Sequence, residues 1–568
     1  MMTNKEIAKA LRKLADLMEV NDDQPFKARA YANAAIAVGR ATEQLTELNK
    51  TQIAAIKGIG NSTAEKISEL ITSGSLAQYQ TLVKQTPPGI VTLLEIKGLG
   101  PSKVKTIWRQ LGVETPDELL YACLENRLVI LDGFGQKTQE NIRLAIAYYL
   151  ANQGSKRFAD AEPLALTLLQ QIRQLPGVTQ AELTGQIRRL MPVVDTIELV
   201  VAAQHPEDLA KELNLQVEAQ DPEKIISGKD TALGIPIRIY CCSPANFISK
   251  WFETTSTAKH VEELQQAAQK LGKSFDFKIT EPQLQAPDSE AAIYAQVGIA
   301  QIYPELREGR GEVNWVLQQN LPQLVTNADI KGIIHAHSTY SDGAATLQAM
   351  ANRCLELGYT YLAITDHSQA AFYANGLTSD RVALQHTEID QLNEKFSQHN
   401  FKIFKGIEAD ILPDGSLDYD ENTRCNFEVI IASVHSVLRM TEEKANQRLL
   451  KAIENPSTHI LGHPTGRLLL ARLGYPINHK LIIDACAANG VAIELNANPY
   501  RLDIDWTWLD YCQEKGVKIA INPDAHSLEG IGHTRYGVLA ARKGKLLRQN
   551  LLNAYTPTEF EAWLKQKS

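Results

Sequence analysis

Six apolar runs between Lys331 and Ser527 each end in side chains of the metal-binding kind, and this constrains the fold more than any other feature. The runs close with HAHSTYSDG, TDHS, GIEAD, SVH, GHP and PDAH. They supply nine candidate ligands: His335, His337, Asp342, His367, Glu408, His435, His463, Asp524 and His526. A barrel of parallel strands gathers the C-terminal ends of its strands on one face, so positions far apart in sequence meet there. The HxH spacing puts His335 and His337 on one side of a strand, because side chains alternate, and Asp524 and His526 repeat that geometry. A lone histidine at a strand end is more often a packing residue than a ligand, but agreement among six strand ends is not what chance supplies. Imidazole and carboxylate suit Zn, Mn or Fe, and nine donors exceed what one ion takes. The sequence therefore predicts a polynuclear metal site, and with it hydrolysis. His386, His399, His459, His479 and His533 fit no strand-end pattern, and surface positions are expected for most of them.

The same region alternates strand-like and helical patterns. GIIHAH, YLAITDH, KIFKGIEADI, EVIIASVH, HILGHP, VAIELNAN and KIAINPDAH read as strands, with AATLQAMANRCLELG and HKLIIDACAANG among the intervening helices. Seven such units predict a (β/α)7 barrel over about 328–568.

The first quarter is different. IKGIGNSTAEKI at 56–67, IKGLGPSKVKTI at 96–107 and LDGFGQKTQENI at 131–142 repeat one pattern of two glycines before a helix start. The pairs are Gly58 and Gly60, Gly98 and Gly100, and Gly133 and Gly135. Such a turn leaves amide groups open at a helix N-terminus, where they can hold a phosphate without reading bases. A single copy would fit a plain helical hairpin. Three copies, flanked by Lys66, Lys103 and Lys137, predict DNA-backbone binding, with helical domains over 1–82 and 83–152. From 153 to 318 strand-like DTIELVVAA and IPIRIYCC alternate with helical EDLAKELN and AKHVEELQQAAQKLG, an α/β or α+β segment. GSKRFADAEP reads as the linker into it.

A chain of 568 residues has room for these domains. Its net charge of −8 argues mildly against wholesale electrostatic binding to nucleic acid, but leaves backbone-amide contacts open. Seven scattered cysteines without a CxxC pair predict a reducing cytoplasm. The N-terminus lacks the apolar centre of a signal peptide, and no run has the length of a membrane span.

The HAH–D–H–E–H–H–DAH series resembles the polymerase and histidinol phosphatase (PHP) family. The whole chain resembles bacterial family X DNA polymerases that carry such a domain at their C-terminus. The resemblance implies a multidomain fold: helix-hairpin-helix domains, a nucleotidyltransferase-like palm with thumb, and a PHP barrel. It also implies three divalent ions (Mn or Zn, with Fe and Mg also admitted). One would be held by His335, His337, Glu408 and Asp524, and a second by His435 and His463 with Glu408 bridging. The third would sit on Asp342, His367 and His526. Arg467, after the HPTG turn, is a candidate phosphate clamp, with an ordinary surface arginine as the alternative. Catalysis would rest on His335, His337, Glu408, Asp524 and Arg467.

The palm departs from its family. The three metal-binding aspartates fall on Thr196, Glu198 and Arg238, and Asp195 cannot substitute because it and Glu198, three apart, face opposite sides of a strand. The nucleotide-holding GS–RRG turn reads Gly185, Gln186, Ile187, Arg188, Arg189, Leu190. TTSTAKH stands where the family has TGS. The palm is therefore expected to be a scaffold. Lys66 matches the lyase lysine of related enzymes, though phosphate contact is the commoner role.

The reading is a cytoplasmic, monomeric DNA-repair nuclease acting on gapped, nicked or 3′-damaged duplex, with no membrane association and with 3′-5′ exonuclease or 3′-end processing chemistry. The alternatives are a working gap-filling polymerase, a phosphatase of the histidinol phosphate type and a non-enzymatic DNA scaffold.

Overall fold

The structure is a computed structural model describing residues 2–566 apart from 152, 204, 220–223, 231–233, 278–286 and 320. The expected boundaries at 1, 152 and 568 lie outside the described residues. Two compact units divide the chain, Met1–Gln153 and Gly154–Ser568.

The first unit is helical. Its opening helix, Asn4–Val20, starts at a capping box between Thr3 and Glu6 and buries Ile7, Leu11, Leu14 and Met18, a three-to-four-residue stripe. The three glycine turns adopt one geometry. Gly58, Gly98 and Gly133 have φ of 97°, 99° and 80°, which side chains other than glycine resist. The next apolar residue, Ile59, Leu99 or Phe134, is buried, and its amide donates to the carbonyl of Ile56, Ile96 or Leu131 respectively. Gly60, Gly100 and Gly135 then accept from Ala64, Val104 and Gln139 as the helices Asn61–Ser73, Pro101–Leu111 and Gln136–Ala151 begin.

The second unit opens without the expected linker. Lys156–Arg157 pairs with Val193–Val194, and helix Phe158–Arg173 follows at once. Phe158, Ala161, Ala165, Leu168, Leu169 and Ile172 give that helix a buried stripe despite Pro163, so the second half of GSKRFADAEP opens a packed helix and Lys156 and Arg157 before it are a short strand. A five-stranded sheet runs in the order Val178–Thr184, Ile197–Ala203, Pro236–Cys242, Lys224–Lys229, Gln216–Ala219, with the second and third strands parallel.

A buried ion cluster fastens this segment. Arg188 meets Glu290 through two bonds of 2.9 and 2.7 Å, and Arg307 meets the same carboxylate at 2.6 and 2.9 Å. Burial pushes Glu290 up, but Arg307 and Arg188 outweigh it and hold the carboxyl at about 2. The folded value lies below the ordinary 4.5. Its stabilisation is therefore complete above that value and lost as pH falls through about 2. Glu290→Ala should cost about 3–5 kcal/mol in denaturant unfolding, because two buried guanidinium groups lose their counter-ion. An unchanged unfolding midpoint would contradict this.

The remaining chain is the barrel. Its strands are β1 (Gly332–Ile333), β2 (Tyr361–Ile364), β3 (Lys402–Asp410), β4 (Val429–Ser433), β5 (Ile460–Leu461), β6 (Ala492–Asn496) and β7 (Ile519–Asn522). They pair in sequence order, all parallel. A parallel bridge from Ala336 to Ala525 brings the two ends of the sheet together beyond β1 and β7. These strands are buried on both faces, which explains their near-continuous apolar runs.

The segment carrying the five-stranded sheet touches the barrel within this unit. The buried ammonium of Lys543, on helix Thr534–Lys543, donates to the Arg189 carbonyl at 3.0 Å, the Glu305 carbonyl at 3.2 Å and the Glu308 carboxylate at 2.5 Å. Surface positions are expected for most of the five remaining histidines, but four of them are packed. His459 is buried and its Nδ1 accepts the Ile430 amide. His386, His479 and His533 are half-buried beside Phe427, Trp508 and Tyr536. The partners of His459, His386 and His479 come from distant segments, which local pattern does not reveal. His399 is exposed.

Candidate metal centre

Because β1 to β7 are parallel, the loops leaving them converge, and all nine candidate ligands meet there. His335 and His337 are fully buried, with ring centroids 5.2 Å apart. Glu408, near the end of β3, lies at the middle. Its Oε1 is 3.0 Å from His463 Nε2, 3.1 Å from His435 Nε2 and 3.5 Å from His335 Nε2. Its Oε2 is 2.9 Å from His367 Nδ1 and 3.7 Å from His337 Nε2. Asp524 lies 3.1 Å from His337 and 3.5 Å from His335, and Asp342 lies 3.4 Å from His526 and 3.7 Å from His367.

Three groups of donors come within coordinating distance of one another: His337, Asp342, His367 and His526; His335, His337 and Asp524; His367, Glu408 and His435. They cut across the grouping implied by resemblance, since His337 and His367 each belong to two. A divalent ion fits the chemistry of the donors. His335 Nε2, His337 Nδ1, His367 Nδ1, His435 Nε2, His463 Nδ1 and Glu408 Oε2 are buried without a hydrogen-bond partner, a costly state for polar atoms unless something else engages them.

Electrostatics keep the carboxylates charged. Burial raises Glu408 and Asp524, but the surrounding imidazoles outweigh it and hold both well below the usual carboxylate range. Asp342 behaves alike and falls to about 2. His337 is driven down to about 3 by burial and by His526 and His367. His435 goes the other way: burial lowers it, but Glu408 and Asp410 carry it to about 10.

Several residues absent from the sequence reading support the ligands. Glu494 holds His335 Nδ1 at 2.7 Å, and Asp410 holds His435 Nδ1 at 2.6 Å, the carboxylate–histidine pairing common behind metal ligands. Asn496 donates to Asp524 at 3.1 Å and to Glu494 at 2.9 Å. Asp366 accepts from the Ser338 amide and hydroxyl at 2.7 and 2.6 Å and from Gln385 at 2.6 Å, fixing the turn before Asp342. Signals for two of them exist in the sequence: Asp410 stands two residues after Glu408 on the same strand face, and Glu494 is a charge inside an apolar strand.

Arg467 is tied to a neighbouring loop. Its Nε donates to the Arg501 carbonyl at 3.0 Å, its Nη1 to Asp505 at 2.5 Å and its Nη2 to the Leu502 carbonyl. These bonds commit three of its five N–H groups to the 501–505 loop. Arg501 instead faces the cluster, with Nε 3.6 Å from Asp524 Oδ2.

In the first unit, Gly60 and Gly100 stand at the N-caps of their helices and place no side chain over the leading turn. Lys66 pairs with Glu69 at 2.7 Å, Lys103 is half-buried and Lys137 is exposed. In the five-stranded sheet, Glu198 and Arg238 stand in register on adjacent parallel strands. Glu198 accepts from the Tyr240 hydroxyl at 2.8 Å and lies so close over Gly185 that a Cβ there would be 1.8 Å from its Oε2. Asp195 is held by Ser155 at 2.5 Å and Gln186 at 2.8 Å. Thr196 is half-buried just before the strand. Arg189 donates to Glu308 at 2.9 Å and to the Thr255 carbonyl at 2.7 Å.

Comparison with known proteins agrees with this architecture. A helix-hairpin-helix domain model matches residues 2–76, a SAM-like helix-hairpin-helix tandem 90–147, and a PHP domain 334–498. The DNA polymerase/3′-5′ exonuclease PolX of Bacillus subtilis (strain 168) is 34% identical over 579 residues, covering all of both chains. This chain belongs to the family X DNA polymerases with a C-terminal PHP domain. Relatives of the barrel alone exist as well. A probable phosphatase of Thermoanaerobacter sp. (strain X514) is 25% identical over 244 residues, 41% of this family X chain and 94% of the relative. One from Clostridium acetobutylicum is 31% identical over 144 residues, 24% and 57% of the two chains. Among the described residues no helix is long and apolar enough to cross a membrane.

Proposed function

We propose that this family X chain is a DNA-processing, metal-dependent nuclease that removes nucleotides from 3′ ends during repair in the cytoplasm, and that its palm binds DNA without extending it. The convergence of eight further donor side chains with Glu408, several with buried donor atoms left unbonded, is the observation that carries the reading. The exonuclease named in the Bacillus subtilis relative supports the chemistry and the 3′-5′ direction. The probable phosphatases align with the barrel, and the helix-hairpin-helix domains favour DNA over a small phosphomonoester.

His335, His337, Asp342, His367, Glu408, His435, His463, Asp524 and His526 would hold divalent ions, Mn or Zn first, with Fe and Mg admitted. When bound, such ions lower the pKa of water to supply hydroxide and neutralise charge on the phosphodiester. The chain's own contribution is positional. Glu494 and Asp410 fix the tautomers of His335 and His435, so each presents Nε2 to the centre. Arg501 places a cation at the edge of the cluster, where a phosphate would meet it. Protein purified without chelator should carry about two to three ions, the number nine donors can hold with open positions for water and substrate. None after Mn and Zn reconstitution would overturn the reading.

The helical unit supplies the grip on gapped, nicked or 3′-damaged duplex, through the amides at the Gly58, Gly98 and Gly133 turns. A fragment of residues 1–153, one compact unit, should bind gapped duplex with affinity that falls as salt rises. Binding by the isolated barrel alone would contradict this division. Lys66, paired with Glu69, serves as a phosphate contact in this reading.

A second reading, a working gap-filling polymerase, is favoured by the polymerase named in the same relative. Against it stand Thr196, Glu198 and Arg238 at the metal-binding positions, with Arg188 and Arg189 engaged by Glu290 and Glu308.

A further inference from the structure

Among the described residues of 328–566, eight large apolar side chains are exposed, and five of them lie in loops leaving the C-terminal ends of the strands. These are Phe372, Tyr373, Val437, Leu473 and Tyr500. Tyr500 already carries the Arg157 guanidinium over its ring, whereas two adjacent exposed rings at that end form a patch that needs a use. Phe372 and Tyr373 stand out: they are adjacent, 85% and 60% exposed, and pack edge to face at 6.1 Å. The Tyr373 ring lies 6.4 Å from that of His367, so the pair borders the donor cluster.

The loop that carries them is braced independently of the rings. Ala370 donates to Asp418 at 2.7 Å, Leu377 to the His367 carbonyl at 2.9 Å and Gly376 to the Ala371 carbonyl at 3.1 Å. Asn375 donates to the carbonyls of Tyr340 and Ser341 at 3.2 Å each. At Gly376 a Cβ would fall 1.9 Å from the Ser368 oxygen, so the turn is closed tightly on itself. The backbone thus fixes a tip whose two aromatic rings are largely exposed, with Tyr373 turned toward the carboxylates of the cluster.

We propose that Phe372 and Tyr373 are base-stacking residues, holding the terminal nucleobase of the strand whose phosphodiester lies over the donor cluster. This rests on the nuclease reading above. Uncharged aromatic faces suit the task beside so many carboxylates, because stacking adds affinity for any base without adding charge. They act as positioning residues, and the chemistry stays with the cluster.

The test uses the full chain with Mn and two 5′-labelled single strands, one ending in normal nucleotides and one ending in two abasic tetrahydrofuran residues. Phe372→Ala with Tyr373→Ala should raise KM on the base-bearing strand by about tenfold or more. On the abasic strand KM and kcat should stay as in the parent. The pair Phe372→Leu and Tyr373→Leu should show the same loss, and Tyr373→Trp should keep the parent KM. Equal losses on both strands, no loss on either, or full rescue by leucine overturns the stacking role while leaving the nuclease reading in place. A parent chain that cleaves neither strand overturns both.

Discussion

Glu408→Gln is expected to abolish DNA hydrolysis, with kcat falling about a thousandfold or more, because this one carboxylate serves both halves of the cluster. Its two oxygens face five imidazoles, three on one side and two on the other. Glutamine keeps the shape but loses the charge and replaces one acceptor with a donor that opposes an ion. The supporting carboxylates give a graded comparison. Asp410→Asn and Glu494→Gln touch the ligands His435 and His335 rather than the centre, and should cost about 10–100-fold in metal affinity or activity. Cleavage of a labelled strand with Mn, alongside the bound-metal content of each variant, checks the order. Glu408→Gln acting no worse than Asp410→Asn would remove Glu408 from the middle of the site.

The barrel and its nine donors are legible in the sequence because strand ends are marked locally. An apolar run stops, a histidine or carboxylate follows, and parallel pairing does the rest. The glycine turns are legible for the same reason, each being a short pattern with a positive φ at its first glycine. What the sequence hides depends on contacts between distant segments. Arg467 has the position of a phosphate ligand beside His463, but its guanidinium is engaged by a loop more than thirty residues on. Glu494 reads as part of a strand, and only the fold places it behind His335. His459 fits no strand-end pattern, yet the Ile430 amide needs its ring nitrogen. The segment at 154–163 has the composition of a linker, and only the later apolar residues of the helix it opens show the buried stripe.

On the function proposed above, this family X chain hydrolyses DNA and does not extend it. A polymerase needs two metals about 3.5–4 Å apart, held between carboxylates. Thr196 has no charge to offer. Glu198 accepts the Tyr240 hydroxyl and covers Gly185, and Arg238 stands beside it in register. A guanidinium at that place opposes divalent cations. Restoring aspartate at 196, 198 and 238 would still leave Gln186 bonded to Asp195 where the nucleotide turn belongs.

The most direct measurement is primer extension on a gapped template with all four nucleotides and Mg or Mn. It is made in a His335→Ala, His337→Ala background, so that hydrolysis cannot erase a product. No template-directed addition is predicted in that background, while the parent chain shortens the same primer with Mn. Addition of the templated nucleotide by the variant would contradict the account.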